Sequence, residues 1–276
     1  MTTSSQGGLQ RVLVALDASR ASLDALSAAA ALAARLGAEL EGLFVEDVNL
    51  LRVAGLPFAS QLSSLSGTPR PLERSTVELE LRALAGAARA SLAETARRLE
   101  VEWSFRVARG QVSGELLEAA SKADVLVLGR TGRSVGRRPG GTARAAAIGA
   151  PTSVLLVGRG AGIGQPILVA YDGSAAADRV LDLAARLDGG AGRLTVLVAA
   201  ATAAEAEKLA RRARSRLARE GESEPRCVTI ARRLDLVRAA QASGALLVLG
   251  AASSALGETG LERLLEEIES PLLVVR

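Results

Sequence analysis

The sequence predicts an α/β fold in two tandem copies, each a mostly parallel five-stranded sheet with helices on both faces. Three observations predict it: an internal repeat, a regular alternation of apolar runs with helical segments, and a core composition suited to parallel strands. The repeat is read from three matched segments in the same order. RVLVAL at 11–16 is followed by Asp17-Ala18-Ser19, and ILVAY at 167–171 by Asp172-Gly173-Ser174. ADVLVLG at 123–129 matches GALLVLG at 244–250, and APTSVLLV at 150–157 matches SPLLVV at 270–275. Offsets of 155, 121 and 120 residues in the same order argue for duplication. Hydrophobic residues make up 49% of the 276, aromatics only 2%, so the cores are built from Leu, Val, Ala and Ile. Such cores suit parallel strands covered by Ala-rich helices.

In the first copy the apolar run 12–16 reads as a buried strand, and 22–36 as an Ala/Leu helix stopped by Gly37. Strand 40–45 follows, then a segment from Glu46 to Arg74 holding Pro57, Pro69 and Pro71, read as a long loop. Helix 77–99, strand 101–107, helix 113–121, strand 125–128, a short helix 142–148 and strand 154–157 complete the copy. Alternation of this kind implies a parallel sheet with helices on both faces. The second copy lacks the long insertion: its strand 194–198 runs almost directly into a helix. The glycine-rich stretch from Gly158 to Gly164 separates domains at 10–158 and 165–276. Each copy ends on an apolar strand, and an open apolar edge invites pairing. The two terminal strands are therefore expected to pair with each other.

Composition excludes several functions. There is no histidine and one cysteine, Cys227, which removes Ser-His-Asp and Cys-His catalysis, an internal disulfide and multi-cysteine zinc sites. The net charge is only +4, without basic blocks interleaved with aromatics, so nucleic-acid binding is not indicated. The start of the chain has no apolar signal segment, and no run of 18 apolar residues occurs; a cytoplasmic protein without a membrane span is expected. Cys227, followed by Val-Thr-Ile, belongs in or beside a strand. Trp103 and Phe105 share parity on one strand and read as a core face.

Chemistry concentrates at residues 129–142, GRTGRSVGRRPGGT, between a strand and a helix. Glycines let the backbone approach a ligand and turn N–H groups toward one point. The following helix adds its positive N-terminal end. Thr142 can cap that helix or donate to a phosphate, and Arg130, Arg133, Arg137 and Arg138 add positive charge. The pattern is neither a Walker loop nor a dinucleotide G-x-G-x-x-G. Asp17 stands at the carboxyl end of the first strand, where ligands bind in open α/β sheets. Ser19 is the more natural cap of the next helix, which leaves Asp17 for a ligand.

VLVALDASRASLDAL, with its Asp-x-Ser-x-x-Ser, and ADVLVLGRTGRS followed by a Gly-Thr resemble the opening strand and the nucleotide loop, Gly-x2-Gly-x9-Gly-Ser/Thr, of the universal stress protein family. The resemblance covers nearly the whole chain, twice. It implies two Rossmann-like domains of the adenine-nucleotide type packed as a pseudo-dimer, with a homodimer of whole chains left open. It implies a stress-response regulator binding ATP or another adenine nucleotide in the first copy, with or without Mg²⁺, with little or no turnover, and acting on a protein partner. The residues it implicates are Asp17, Val45, Leu128, Gly129, Gly132, Gly141 and Thr142. Eight residues, rather than nine, separate Gly132 from Gly141. In the second copy Asp172-Gly173-Ser174 is kept, but the loop reads Gly250-Ala251-Ala252-Ser253, and Glu258, Glu262, Glu266, Glu267 and Glu269 follow. Acidic charge there repels phosphate, so the second copy is expected to have lost the site. The alternative function is an interaction scaffold that binds no nucleotide.

Overall fold

A computed structural model describes residues 10–56, 58–62, 69–131, 139–158, 160, 166–218, 226–230, 233–256 and 260–276. The first half runs β1 (Arg11–Leu16), α1 (Arg20–Leu36), β2 (Glu39–Asp47), α2 (Val48–Ala54), β3 (Ser60–Leu62), β4 (Pro69–Pro71), α3 (Arg74–Arg98), β5 (Trp103–Gly110), α4 (Val112–Ala120), β6 (Val125–Gly129), α5 (Gly141–Gly149) and β7 (Ser153–Val157). The second runs β8 (Ile167–Tyr171), α6 (Ala175–Asp188), β9 (Leu194–Ala199), α7 (Ala203–Leu217), β10 (Arg226–Ile230), α8 (Arg233–Ser243), β11 (Leu246–Gly250), α9 (Gly260–Glu267) and β12 (Leu272–Val275).

Ten strands form one sheet in the order β10-β9-β8-β11-β12-β7-β6-β1-β2-β5. Read outward from the middle, both halves repeat the same order. Every pairing is parallel except β12 with β7, where Leu272, Leu273 and Val274 oppose Leu156, Leu155 and Val154. The two terminal strands thus pair across the centre, as expected of two open apolar edges. Central strands β7, β8 and β11 are buried along their whole length, which is why they read as continuous apolar runs. Alternate side chains feed two cores, Val12 and Val14 on the side of α1, α3, α6 and α7, Leu13 on the side of α4, α5, α8 and α9.

Helix ends follow from local chemistry. Ser19 caps α1 by accepting from Ser22 N, and Gly37 closes it in the left-handed region at φ 64°. Ser174 and Gly189 do the same for α6. Long helices of Ala and Leu can lie close to the sheet because their side chains are short; Ala25, Ala29, Ala30 and Ala33 are completely buried.

Reciprocal arginines join the halves. Arg276 Nη2 donates to Ala147 O at 2.6 Å and Ile148 O at 2.8 Å, at the end of α5. Arg130 donates to carbonyls at the end of α9. Cations at these ends also suit the negative pole of each helix. Arg35 Nη1 donates to Leu187 O at 2.9 Å, tying α1 to α6.

Two expectations change. The segment 46–74 is more than loop: β2 extends to Asp47, which caps α2 by accepting from Asn49 N, and β3 pairs with β4. Trp103 is 37% exposed, although Phe105 packs against the core. The reason is position: β5 is an edge strand, so parity alone does not bury its residues. Among the described residues no helix is long and apolar enough to cross a membrane.

Candidate functional site

Strand order reverses beside β1, which has β2 on one flank and β6 on the other. Crossovers then leave in opposite directions, and a crevice opens at the carboxyl ends of the two strands. A cavity of about 350 Å³ lies there, within the range of small-molecule sites. Asp17, Val45, Leu128, Gly129, Gly141 and Thr142 all line it. Gly132, with Arg133, Arg137 and Arg138, lies outside the described residues.

The wall from β1 is a tight turn. Asp17 Oδ1 accepts from Ser19 N at 2.9 Å, and its other oxygen has no hydrogen-bond partner among the described residues. Ala18 sits at φ 58°, the left-handed region, where the second half has Gly173 at φ 76°. An alanine there carries about 1–2 kcal/mol of strain. Ala18→Gly is therefore expected to stabilise the protein by roughly 0.5–1 kcal/mol, since glycine's extra freedom when unfolded cancels only part of the gain. Thermal melts read this directly, and a lower melting temperature would show the turn to be unstrained.

The opposite wall is the start of α5. Gly140 is its N-cap and offers no side chain to the first-turn N–H groups. Those donors and the helix pole make an anion-binding end. A Cβ added to Gly141 would meet nothing within 4 Å, so space stands open beside that backbone. Thr142 is inside the helix, not its cap, which corrects one of the two roles the sequence suggested for it. Between these walls the lining is apolar: Phe44, Val45, Leu81, Leu116 and Leu128. The insertion contributes Asp47 and Leu50, which sequence reasoning missed; Asp47 ahead of an apolar helical run was the available signal.

Arg130 differs from expectation. It lines the cavity but is 3% exposed, and its guanidinium donates to carbonyls at the end of α9. Burial brings its pKa down to about 10, against the opposing pull of Glu269, and it stays charged at neutral pH.

At the corresponding place in the second half both oxygens of the carboxylate are already engaged. Asp172 Oδ2 accepts from Ser254 N at 2.9 Å, Ser254 Oγ at 3.0 Å and Ser253 Oγ at 3.4 Å, while Oδ1 accepts from Ser174 N at 3.1 Å. Burial would raise this carboxyl; the hydrogen bonds of Ser174 and Ser254 outweigh it and hold the pKa below the ordinary value. The acidic residues of α9 also have another role: Glu262 and Glu266 pair with Arg144 of α5 at 3.0 and 3.5 Å. Glu258 lies outside the described residues.

Residues 8–158, more than half of the chain, match the model of the universal stress protein family. The chain belongs to that family. Universal stress protein folds of the same extent are known: one from Archaeoglobus fulgidus DSM 4304 is 17% identical, with a TM-score of 0.71 over 96% of this chain and 98% of that one. A functionally unknown protein from Pseudomonas aeruginosa PAO1 is 16% identical, with a TM-score of 0.59 over 97% and 92%. At such identities the likeness concerns the fold alone. No curated protein matches the chain.

Proposed function

We propose that this universal stress protein is a regulator that binds ATP or another adenine nucleotide in its first domain, residues 10–158, with little or no turnover. The second domain, residues 165–276, is its partner without a nucleotide site. One observation carries the reading: one cavity at the strand-order switch combines apolar walls, a carboxylate with an oxygen that has no partner among the described residues, and an α5 N-terminus whose cap, Gly140, has no side chain. The apolar lining suits a flat base, Asp17 a ribose hydroxyl, and the first-turn N–H groups of α5 with the open space at Gly141 a phosphate. Among the described residues no group of three or more His, Cys, Asp or Glu side chains could hold a metal ion. Mg²⁺ in this reading arrives with the phosphates rather than in a protein cage.

Calorimetric titration with ATP and Mg²⁺ tests it. The expected result is one-to-one binding by the wild type, weakened at least about 10-fold in Asp17→Ala and in Gly141→Glu, where a carboxylate would take the phosphate's place at the helix pole. Asp172→Ala should leave binding unchanged. Gly141→Glu should melt no lower than the wild type, because its Cβ would meet nothing within 4 Å and a carboxylate in the first turn suits the helix pole.

A second reading, an interaction scaffold without nucleotide, draws on one observation. The insertion exposes an apolar row, Leu50, Val53, Leu56 and Phe58, at 38, 48, 45 and 79%. Absence of heat with ATP, AMP and ADP alike would decide for this reading.

A further inference from the structure

Arg130 joins the end of β6 to the neighbouring strand β7 and to the start of α5. Its backbone N–H donates to Val157 O at 2.8 Å, and its carbonyl accepts from Gly140 N at 2.9 Å. Gly140 is the N-cap of α5, so these two bonds tie the start of α5 to the end of β6 and set where its first turn begins. The side chain then leaves the first half altogether. Nη2 donates to Leu265 O at 2.6 Å and to Ile268 O, at the C-terminal end of α9. Nε and Nη1 are buried and have no hydrogen-bond partner among the described residues. A buried guanidinium with unmatched nitrogens is costly, and an apolar side chain of similar length would fill the space without that cost. The same stretch of α9 closes on the first half elsewhere: a Cβ on Gly158 would stand 3.2 Å from Glu269 O.

We propose that Arg130 is a positioning residue for the nucleotide site: anchored on the α9 carbonyls, it holds Gly140 and the first turn of α5 at the cavity, which makes the second half a working part of the first half's site. This rests on the adenine-nucleotide reading above. Because coupling is reciprocal, nucleotide bound in the first half also tightens the α9 contact in the second.

The test compares ATP affinity, by calorimetry on the full chain, in the wild type, Arg130→Met, Arg130→Lys and Arg35→Met. Arg35 also ties the halves, but from the far end of α1. Arg130→Met should weaken ATP binding roughly 10-fold, Arg130→Lys should recover part of the loss, and Arg35→Met should stay within about twofold, all in protein that is fully folded at the titration temperature. A purely structural role predicts equal effects for Arg130→Met and Arg35→Met, and either that result or wild-type affinity in Arg130→Met overturns the proposal. A measurement on the unaltered chain covers the case of a variant that does not fold. ATP should slow amide exchange at 261–270, and unchanged exchange there in protein that binds ATP overturns the proposal too. No ATP binding by the wild type would instead overturn the nucleotide reading and this inference with it.

Discussion

Gly129→Ala is expected to destabilise the protein by about 2–3 kcal/mol, while Gly250→Ala, at the matching position of the second half, stays within about 0.5 kcal/mol. The two glycines end equivalent strands and differ only in what faces them. A Cβ on Gly129 would stand 2.6 Å from Ala21 O, 2.7 Å from its carbonyl carbon and 2.9 Å from its Cβ. The first two are backbone atoms of the first turn of α1 and the third is bonded directly to that backbone, so none can swing aside as the end of a long side chain does. Moving them moves Ser19 and Asp17, so on the proposed nucleotide reading ATP affinity should fall together with stability. A Cβ on Gly250 would meet Val180 Cγ2 at 3.7 Å, an ordinary contact. Urea denaturation of the two single variants is the measurement, and equal midpoints would mean that α1 adapts freely. Gly129 therefore has a packing role beside its place in the cavity wall: it lets helix and strand come close.

Asp178→Ala is expected to cost about 3 kcal/mol. Asp178 on α6 accepts from Tyr171 Oη at 2.8 Å and from Arg212 of α7, with Arg216 at 3.9 Å. Tyr171 is completely buried, so loss of the carboxylate leaves its hydroxyl unpaired. The arginines, half in solvent, can rehydrate, which keeps the cost below that of a fully buried pair. Burial pushes the Asp178 carboxyl up, but hydrogen bonds from Tyr171 and Arg212 and the charges of Arg212 and Arg216 prevail and lower its pKa. A depressed pKa contributes stability that is fully present above the unfolded value, near 3.9, and is lost as pH falls through the folded value. Tyr171 has the opposite shift. Its burial, then its hydrogen bond to Asp178 and that residue's charge, raise it to about 12, so its contribution is present below about 10 and lost as pH rises toward 12. Urea midpoints against pH should therefore fall more steeply at both ends in the wild type than in Asp178→Ala. Parallel curves would refute the assignment.

The pattern of residues was enough for the architecture. An Asp-x-Ser after an apolar run, repeated 155 residues later, is a local signal, because a strand end, an Asx turn and an N-cap need only neighbours in sequence. Continuous apolar runs announce strands buried on both faces, and two unpaired apolar ends announce the β7–β12 pairing. Six of the seven residues singled out for a nucleotide meet at one cavity for the same reason: strand ends at a switch point converge by topology.

Long-range geometry decided the rest. Arg130 stands in a run of glycines and arginines that reads as a phosphate cradle, yet its guanidinium is drawn to α9, over 130 residues away, because bare helix-end carbonyls lie within its reach. Asp17 and Asp172 look alike in sequence, but a serine turn 82 residues downstream saturates one and leaves the other an open oxygen. Trp103 has the parity of a core residue and the exposure of an edge. Sequence by itself determined which segments are strands and helices, their duplication and which strand ends meet at the switch-point cavity. Only the tertiary structure decided which polar groups are already satisfied, because hydrogen-bond partners distant in the chain are brought together by packing and leave no local pattern.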